Sequence, residues 1–140
     1  IYMTPVGFDH VKLQIPADGL SDARRFYEEV LTLPLEGVDR YRSGEKPFVS
    51  ARISPSSVIH IEPTAEFEMP QQTHYDHLAV RFEESIETIQ THLRNHSIPI
   101  DRELTPLGAT GVAPAVYVTD PFGYRVEIKA TANTGSSESF

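Results

Sequence analysis

The sequence predicts an α+β fold of two tandem modules, each built from a strand, a helix and three further strands, that face one shared cleft. Two alignments within the chain carry this prediction. The segment FDHVKLQIP, which begins at Phe8, resembles YDHLAVRFE, which begins at Tyr75, at an offset of 67 residues. The same offset, continued without a gap, aligns VIHIEP with YRVEIK. Helical patterns near residues 21–33 and 86–98 match as well, so a duplicated unit of about 60 residues is the simplest interpretation.

The first strand of each copy alternates between apolar and polar side chains. His10 and His77 belong to the polar set. The apolar set consists of Val11, Leu13 and Ile15 in the first copy and of Leu78, Val80 and Phe82 in the second. Because successive side chains of a strand point to opposite faces, both histidines lie opposite the apolar face of their sheet.

Each copy continues with an amphipathic helix. Ser21 is the expected N-cap of the first helix. Its apolar positions follow helical spacing at Ala23, Phe26, Tyr27, Val30 and Leu31. The second helix has fewer apolar positions, namely Ile86, Ile89 and Leu93. We expect both helices to cover the apolar faces and to leave the polar faces open. His92 and His96, on the polar rim of the second helix, and the loop residue His74 are interpreted as surface residues and not as ligands.

A second potential ligand stands 50 residues after each strand histidine. His60 lies between two isoleucines, and Glu127 lies between Val126 and Ile128, so each again opposes an apolar set. A tight turn built from Asp120, Pro121 and Gly123 precedes the last strand and sets its register. Four candidate ligands therefore project from the uncovered sides of the two modules, where one cleft can gather them: His10, His60, His77 and Glu127.

Composition restricts the function classes. With 140 residues, the chain is long enough for one compact domain built from two modules. A net charge of −8 argues against nucleic acid as a partner, because phosphate contacts need a basic face. No apolar run approaches the length of a membrane span, and the first residues lack the pattern of a secretion signal, so we expect a cytoplasmic protein without membrane contact. The absence of cysteine means that any metal is held by nitrogen and oxygen.

The quoted segments, together with ARRFYEEVLTLPL and VTDPFGYRVEI, resemble the vicinal oxygen chelate superfamily of glyoxalase I, bleomycin-resistance proteins and extradiol dioxygenases. The resemblance implies paired βαβββ modules whose sheets curl around a metal. It implies a single glyoxalase-like domain over residues 1–140, with modules at about 7–63 and 74–130. The small, polar composition of residues 131–140 predicts a loose tail. The resemblance also implies a homodimer, and metal ligands at His10, His60, His77 and Glu127. Two positions depart from the family pattern, since Thr32 stands where glycine is common and His60 where glyoxalase I commonly has glutamate.

Three imidazoles and one carboxylate suit a divalent ion such as zinc, nickel, iron or manganese. Four protein ligands leave two positions of an octahedral ion open, enough for a substrate to chelate through two neighbouring oxygens. We assign catalytic roles to Glu127, which could leave the metal to move a proton, and to His60. The polar faces also carry four cations, which predict an anionic small-molecule substrate: Lys12, Arg52, Arg81 and Arg125.

The leading hypothesis is a metal-dependent lyase or isomerase of the glyoxalase I type. An extradiol-type dioxygenase is the first alternative, although such enzymes normally use two histidines and one glutamate. A binding protein that sequesters an antibiotic or metabolite without chemistry is the second. The loops near residues 39–46 and 104–112 are expected to line the cleft, but their sequences do not identify a substrate, and the site could form within one chain or across a dimer.

Overall fold

The computed structural model describes residues 3–131 of the chain, which divide into two compact units, the first ending at Glu68 and the second beginning at Met69. Each unit contains a mixed four-stranded sheet and a helical segment. The predicted α+β fold of two tandem modules is therefore confirmed. The predicted loose tail, apart from Thr131, lies outside the described residues.

The first unit follows the order strand, helix, three strands, with one short helix inserted. Its elements are β1 (His10–Pro16), α1 (Leu20–Ala23), a π-helical continuation (Arg24–Val30), β2 (Leu35–Glu36), α2 (Val38–Arg42), β3 (Val49–Ser54) and β4 (Ser57–Thr64). The strand order in the sheet is β1-β4-β3-β2. β1 and β4 are parallel and the other pairs are antiparallel, so the first and last strands of the module lie side by side.

The second unit repeats this plan, with a small ribbon in place of α2. Its elements are β5 (Leu78–Phe82), α3 (Ile86–Asn95), β6 (Arg102–Leu104), β7 (Leu107–Gly108), β8 (Gly111–Val112), β9 (Ala115–Thr119) and β10 (Arg125–Ala130). The sheet order is β5-β10-β9-β6, with β5 and β10 parallel, and β7 and β8 pair with each other.

The 67-residue offset is reproduced in the strand register. His60 on β4 pairs with Lys12 of β1 and with Ser50 of β3. Glu127 on β10 pairs with Ala79 of β5 and Tyr117 of β9, and each of these positions is 67 residues further along the chain. The two modules therefore place their late candidate ligand at the same point of the same sheet.

The helices and the predicted apolar strand faces supply most of the core. Tyr27, Phe26 and Val30 of the π-helical segment are buried, as are Ile59 and Ile61 of β4. Burial of each such side chain contributes about 1.5–3 kcal/mol to folding. Val11, near the start of β1, is the exception in the first strand, with 38% of its surface exposed.

The first helix begins and ends differently from the prediction. Gly19 and not Ser21 is its N-cap, so the predicted cap is wrong: the helix starts one residue before Ser21, whose side chain lies in its first turn. The helical segment ends at Val30, and Thr32 then takes a left-handed backbone with φ 59°. The amide of Leu33 donates to the carbonyl of Tyr27 at 2.9 Å and closes this end.

The predicted turn before the last strand is confirmed. The Asp120 carboxylate accepts from the amides of Phe122 at 2.9 Å and Tyr124 at 2.8 Å. Gly123 takes φ 100°, a conformation that residues with a Cβ rarely adopt. This turn fixes the start of β10 and with it the position of Glu127.

Candidate metal centre

In the first unit, the predicted ligands His10 and His60 lie together. They stand on the neighbouring strands β1 and β4, and their ring centroids are 4.4 Å apart. The ring of Phe48 contacts His60 from another side, with centroids 4.3 Å apart. The alternation of the two strands brings both imidazoles to the face opposite the helix, as predicted.

One nitrogen of each of these imidazoles already has a partner. The Nδ1 of His10 donates to the Asp9 carboxylate at 2.7 Å, and the Nδ1 of His60 lies 2.8 Å from the Ser50 hydroxyl. Such contacts orient a histidine and leave its Nε2 as the donor for a metal ion. The Asp9 carboxylate therefore holds His10 in the tautomer that ligation through Nε2 requires, and the Ser50 hydroxyl fixes the orientation of the His60 ring.

The environment keeps His60 neutral. Burial, then the neighbouring His10 and the lysines Lys46 and Lys12, lower the pKa of His60 below its usual value. The hydrogen bond from His10 lowers the pKa of Asp9, so this carboxylate stays ionised. A neutral imidazole is the form that binds a metal ion.

In the second unit, His77 and Glu127 form a direct pair. The Nε2 of His77 lies 3.0 Å from Oε1 of Glu127, whose side chain is buried, on the neighbouring strand β10. The Nδ1 of His77 donates to Asp76 at 2.6 Å, and Arg125 donates to the same carboxylate at 3.2 Å. Asp76 thus has the position and role in this unit that Asp9 has in the first.

Tyr117 supports Glu127 from the next strand. Its hydroxyl is hydrogen-bonded to the Glu127 carboxylate, and its ring meets that of His77 edge to face with centroids 5.2 Å apart. Burial, followed by this hydrogen bond, raises the pKa of Tyr117 to about 12. Tyr117 therefore remains a protonated donor at neutral pH.

The supporting residues were absent from the predicted site. Asp9 and Asp76 are identical in the two copies and directly precede the strand histidines, so the repeat itself signals them. Ser50 and Tyr117 also align at the offset of 67 residues and both carry a hydroxyl, but their residue types differ, and the strand register is what places them beside His60 and Glu127.

The second-unit pair fits a divalent ion. Metal bonds of about 2.0–2.2 Å to nitrogen and oxygen place neighbouring donors about 3 Å apart. The separation of 3.0 Å between Nε2 of His77 and Oε1 of Glu127, which is the length of a direct contact between the two side chains, is also compatible with this spacing. Within residues 3–131, no three His, Asp or Glu side chains come together as a complete site, so each unit presents a pair of donors.

The four predicted substrate-binding cations all have partners in their own unit. Three form ion pairs with a carboxylate: Lys12 with Glu62 at 2.9 Å, Arg52 with Glu36 at 2.9 Å and Arg125 with Asp76 at 3.2 Å. Arg81 instead donates to the Thr110 hydroxyl at 2.8 Å. Their role toward a substrate stays a prediction.

The three remaining histidines lie outside the pairs. His74 is exposed in the segment before β5. His92 stands on α3 and His96 is the C-cap of that helix, with ring centroids 4.4 Å apart. The predicted exposure of His96 is confirmed, while His92 is half-buried.

A duplicated strand, helix and three-strand plan defines a paired-module protein of βαβββ type. Its equivalent donors lie at the start of the first strand, where His77 directly precedes β5, and on the last strand. The model of the Glyoxalase/Bleomycin resistance protein/Dioxygenase superfamily matches residues 7–128, and the chain belongs to this superfamily. The resemblance seen in the sequence is thereby confirmed.

Solved structures share this fold at low sequence identity. A virulence protein from Salmonella typhimurium is 22% identical with a TM-score of 0.71, over 93% of this chain and 100% of that one. A glyoxalase family protein from Enterococcus faecalis is 19% identical with a TM-score of 0.66, over 88% and 96%. The fosfomycin resistance protein FosX from Listeria monocytogenes is 11% identical with a TM-score of 0.62, over 92% and 96%. A search of the curated proteins gives no match.

No helix within residues 3–131 is both long and apolar enough to cross a membrane.

Proposed function

We propose that the chain is a metal-dependent lyase or isomerase of glyoxalase type, acting on a small anionic substrate with two neighbouring oxygens. One observation supports this proposal above the others. Each unit presents a pair of donors at the same register position, His10 with His60 and His77 with Glu127. The proposal is that these two pairs serve one divalent ion, within one chain or between the chains of a homodimer.

The donor chemistry favours zinc, nickel, iron(II) or manganese(II), because three imidazoles and one carboxylate are intermediate between soft and hard ligands. Such an ion, when bound, supplies Lewis acidity to an oxygen that becomes an enolate or alkoxide. Asp9, Ser50 and Asp76 hold the three imidazoles through Nδ1 and so reduce the ordering that metal binding requires.

Glu127 is the proposed proton carrier. It is buried, so a proton at its carboxylate exchanges with substrate in preference to water, and the Tyr117 hydroxyl fixes its orientation. His60 is the proposed second catalytic group, since an imidazole that Ser50 holds at Nδ1 could leave the metal and accept a proton at Nε2. The two groups lie at equivalent positions of the two modules.

The test is turnover of a hemithioacetal or another α-hydroxycarbonyl compound after chelation and reconstitution with each divalent ion. The proposal expects activity that requires metal, that Glu127→Gln abolishes, and that the surface variant Glu87→Gln retains. Absence of turnover with every ion would contradict it. Oxygen uptake on a catechol with iron would instead support a dioxygenase, and ligand binding unaffected by chelation would support a sequestering protein.

A further inference from the structure

We infer that Lys129 and Arg81 together bind an oxyanion group of the substrate, such as a carboxylate or a phosphate. This inference rests on the proposed function, because it names the substrate class of the same site. Lys129 follows Glu127 by two residues on β10, so both side chains leave the same face of the sheet. Arg81 is the register partner of Lys129 on β5.

Lys129 differs from the other cations of the polar faces in its burial and in its lack of an ion pair among residues 3–131. Its side chain is only 5% exposed, and its ammonium donates to the backbone carbonyl of Pro106 at 2.7 Å. Among residues 3–131, no carboxylate forms an ion pair with it, whereas Lys12, Arg52 and Arg125 each have one. A buried charge without a counter-ion is unfavourable, and an anionic ligand would relieve that.

The same short segment holds both cations. Residues 106–112 contain the ribbon β7–β8, which contacts Lys129 through the Pro106 carbonyl and Arg81 through the Thr110 hydroxyl at 2.8 Å. An ammonium has three donors and a guanidinium has five, so both groups keep donors for a ligand after these contacts. Neutral oxygens thus fix the position of two positive charges without cancelling them.

Gly108 lets the ribbon lie close against the end of the lysine side chain. A Cβ at this position would lie 2.7 Å from Nζ of Lys129 and 3.2 Å from its Cε. Any side chain at position 108 would therefore displace the ammonium or the ribbon. Besides the Pro106 carbonyl, the absence of a side chain at Gly108 thus helps to hold the Lys129 ammonium under the ribbon.

The strand geometry also sets the distance between the bound oxyanion group and Glu127. Two residues along a strand span about 7 Å, so the oxyanion group would lie about that far from the carboxylate of Glu127. The expected substrate carries its two neighbouring oxygens at one end and an anionic group at the other.

The test compares two five-carbon probes that differ only at one end, 2-hydroxyglutarate and 2-hydroxyvalerate. Calorimetry on the manganese-loaded protein is expected to give at least tenfold tighter binding of 2-hydroxyglutarate. Lys129→Met should remove this preference, leaving the affinity for 2-hydroxyvalerate and for manganese unchanged. Arg81→Gln and Gly108→Ala should reduce the preference, and Arg94→Met, which removes a cation from α3 of the same unit, should leave it intact. Equal binding of the probes, or a preference that survives both Lys129→Met and Arg81→Gln, would overturn the inference.

Failure of the proposed function is recognised separately, because it appears as lack of manganese binding by the unaltered protein. In that case, inorganic phosphate is titrated into the metal-free protein. Binding that Arg81→Gln weakens and Arg94→Met preserves would support the oxyanion subsite. Phosphate binding that is absent, or equal in all variants, would overturn it. Arg81 is exposed, so its substitution tests the inference even if Lys129→Met does not fold.

Discussion

Asp76 offers the sharpest test of how the proposed metal ligands are held. Its carboxylate accepts from Nδ1 of His77 at 2.6 Å and is itself held by Arg125 at 3.2 Å. Asp76→Ala removes the group that orients the imidazole of His77. Loss of such a partner costs about 10–100-fold in metal affinity, or about 1.4–2.7 kcal/mol.

The structure also ranks the related variants. Asp76→Asn keeps an oxygen that can accept from His77 but removes the charge, so its loss of affinity should fall at the lower end, about tenfold. Asp9→Ala should weaken binding less than Asp76→Ala, because Asp9 is 89% exposed against 65% for Asp76, and water replaces an exposed carboxylate more readily. Zinc and manganese affinities measured by calorimetry with a competing chelator provide the assay, with Asp101→Ala as a control. An Asp76→Ala protein that binds metal within twofold of the unaltered chain would refute the reasoning.

Three further predictions concern other parts of the structure. Thr32→Gly should raise the free energy of unfolding, measured by urea titration, by about 0.5–1 kcal/mol. A left-handed residue with a Cβ costs about 1–2 kcal/mol, and the greater backbone entropy of glycine in the unfolded chain offsets part of the gain. A decrease would contradict the assigned strain. Tyr117→Phe should lower kcat about 10–100-fold with little change in circular dichroism, because a hydrogen bond to a buried carboxylate is lost; unchanged kcat would remove Tyr117 from the mechanism. The hydrogen bond from Arg52 lowers the pKa of Glu36, so their contact stabilises the fold above the usual value of 4.5 and is lost as pH falls through the lowered pKa. Carbon NMR should find that pKa restored toward 4.5 in Arg52→Gln, and an unaltered titration would contradict the pairing.

The sequence predicted the pairing of the donors because a duplicated unit duplicates its register. Once His10 and His77 are aligned, the period of two in each strand fixes which face they use, and the ungapped offset carries the same logic to His60 and Glu127. The alternation of apolar and polar side chains is a local property of each strand. The folded chain keeps it because the helices cover the apolar face.

The partners of charged side chains could not be predicted in the same way. Arg52 meets Glu36 across 16 residues of chain, and Tyr117 meets Glu127 only because β9 and β10 pair in one particular register. Ser21 matched the chemistry of a helix cap, but the helix starts earlier, where Gly19 precedes it. Lys129 leaves the same face of β10 as Glu127. Its burial, however, depends on how residues 106–112 pack against it, and the sequence of that loop does not indicate this packing.

Metal stoichiometry in variants of each unit tests the central claim most directly. The proposal of one shared ion predicts one high-affinity ion per chain, and it predicts that His60→Ala in the first unit and His77→Ala in the second each abolish that binding. His92→Ala, which alters a histidine of α3, should retain it. Two independent ions per chain, or metal binding that survives either of the first two variants, would contradict the claim that the four donors act as one site.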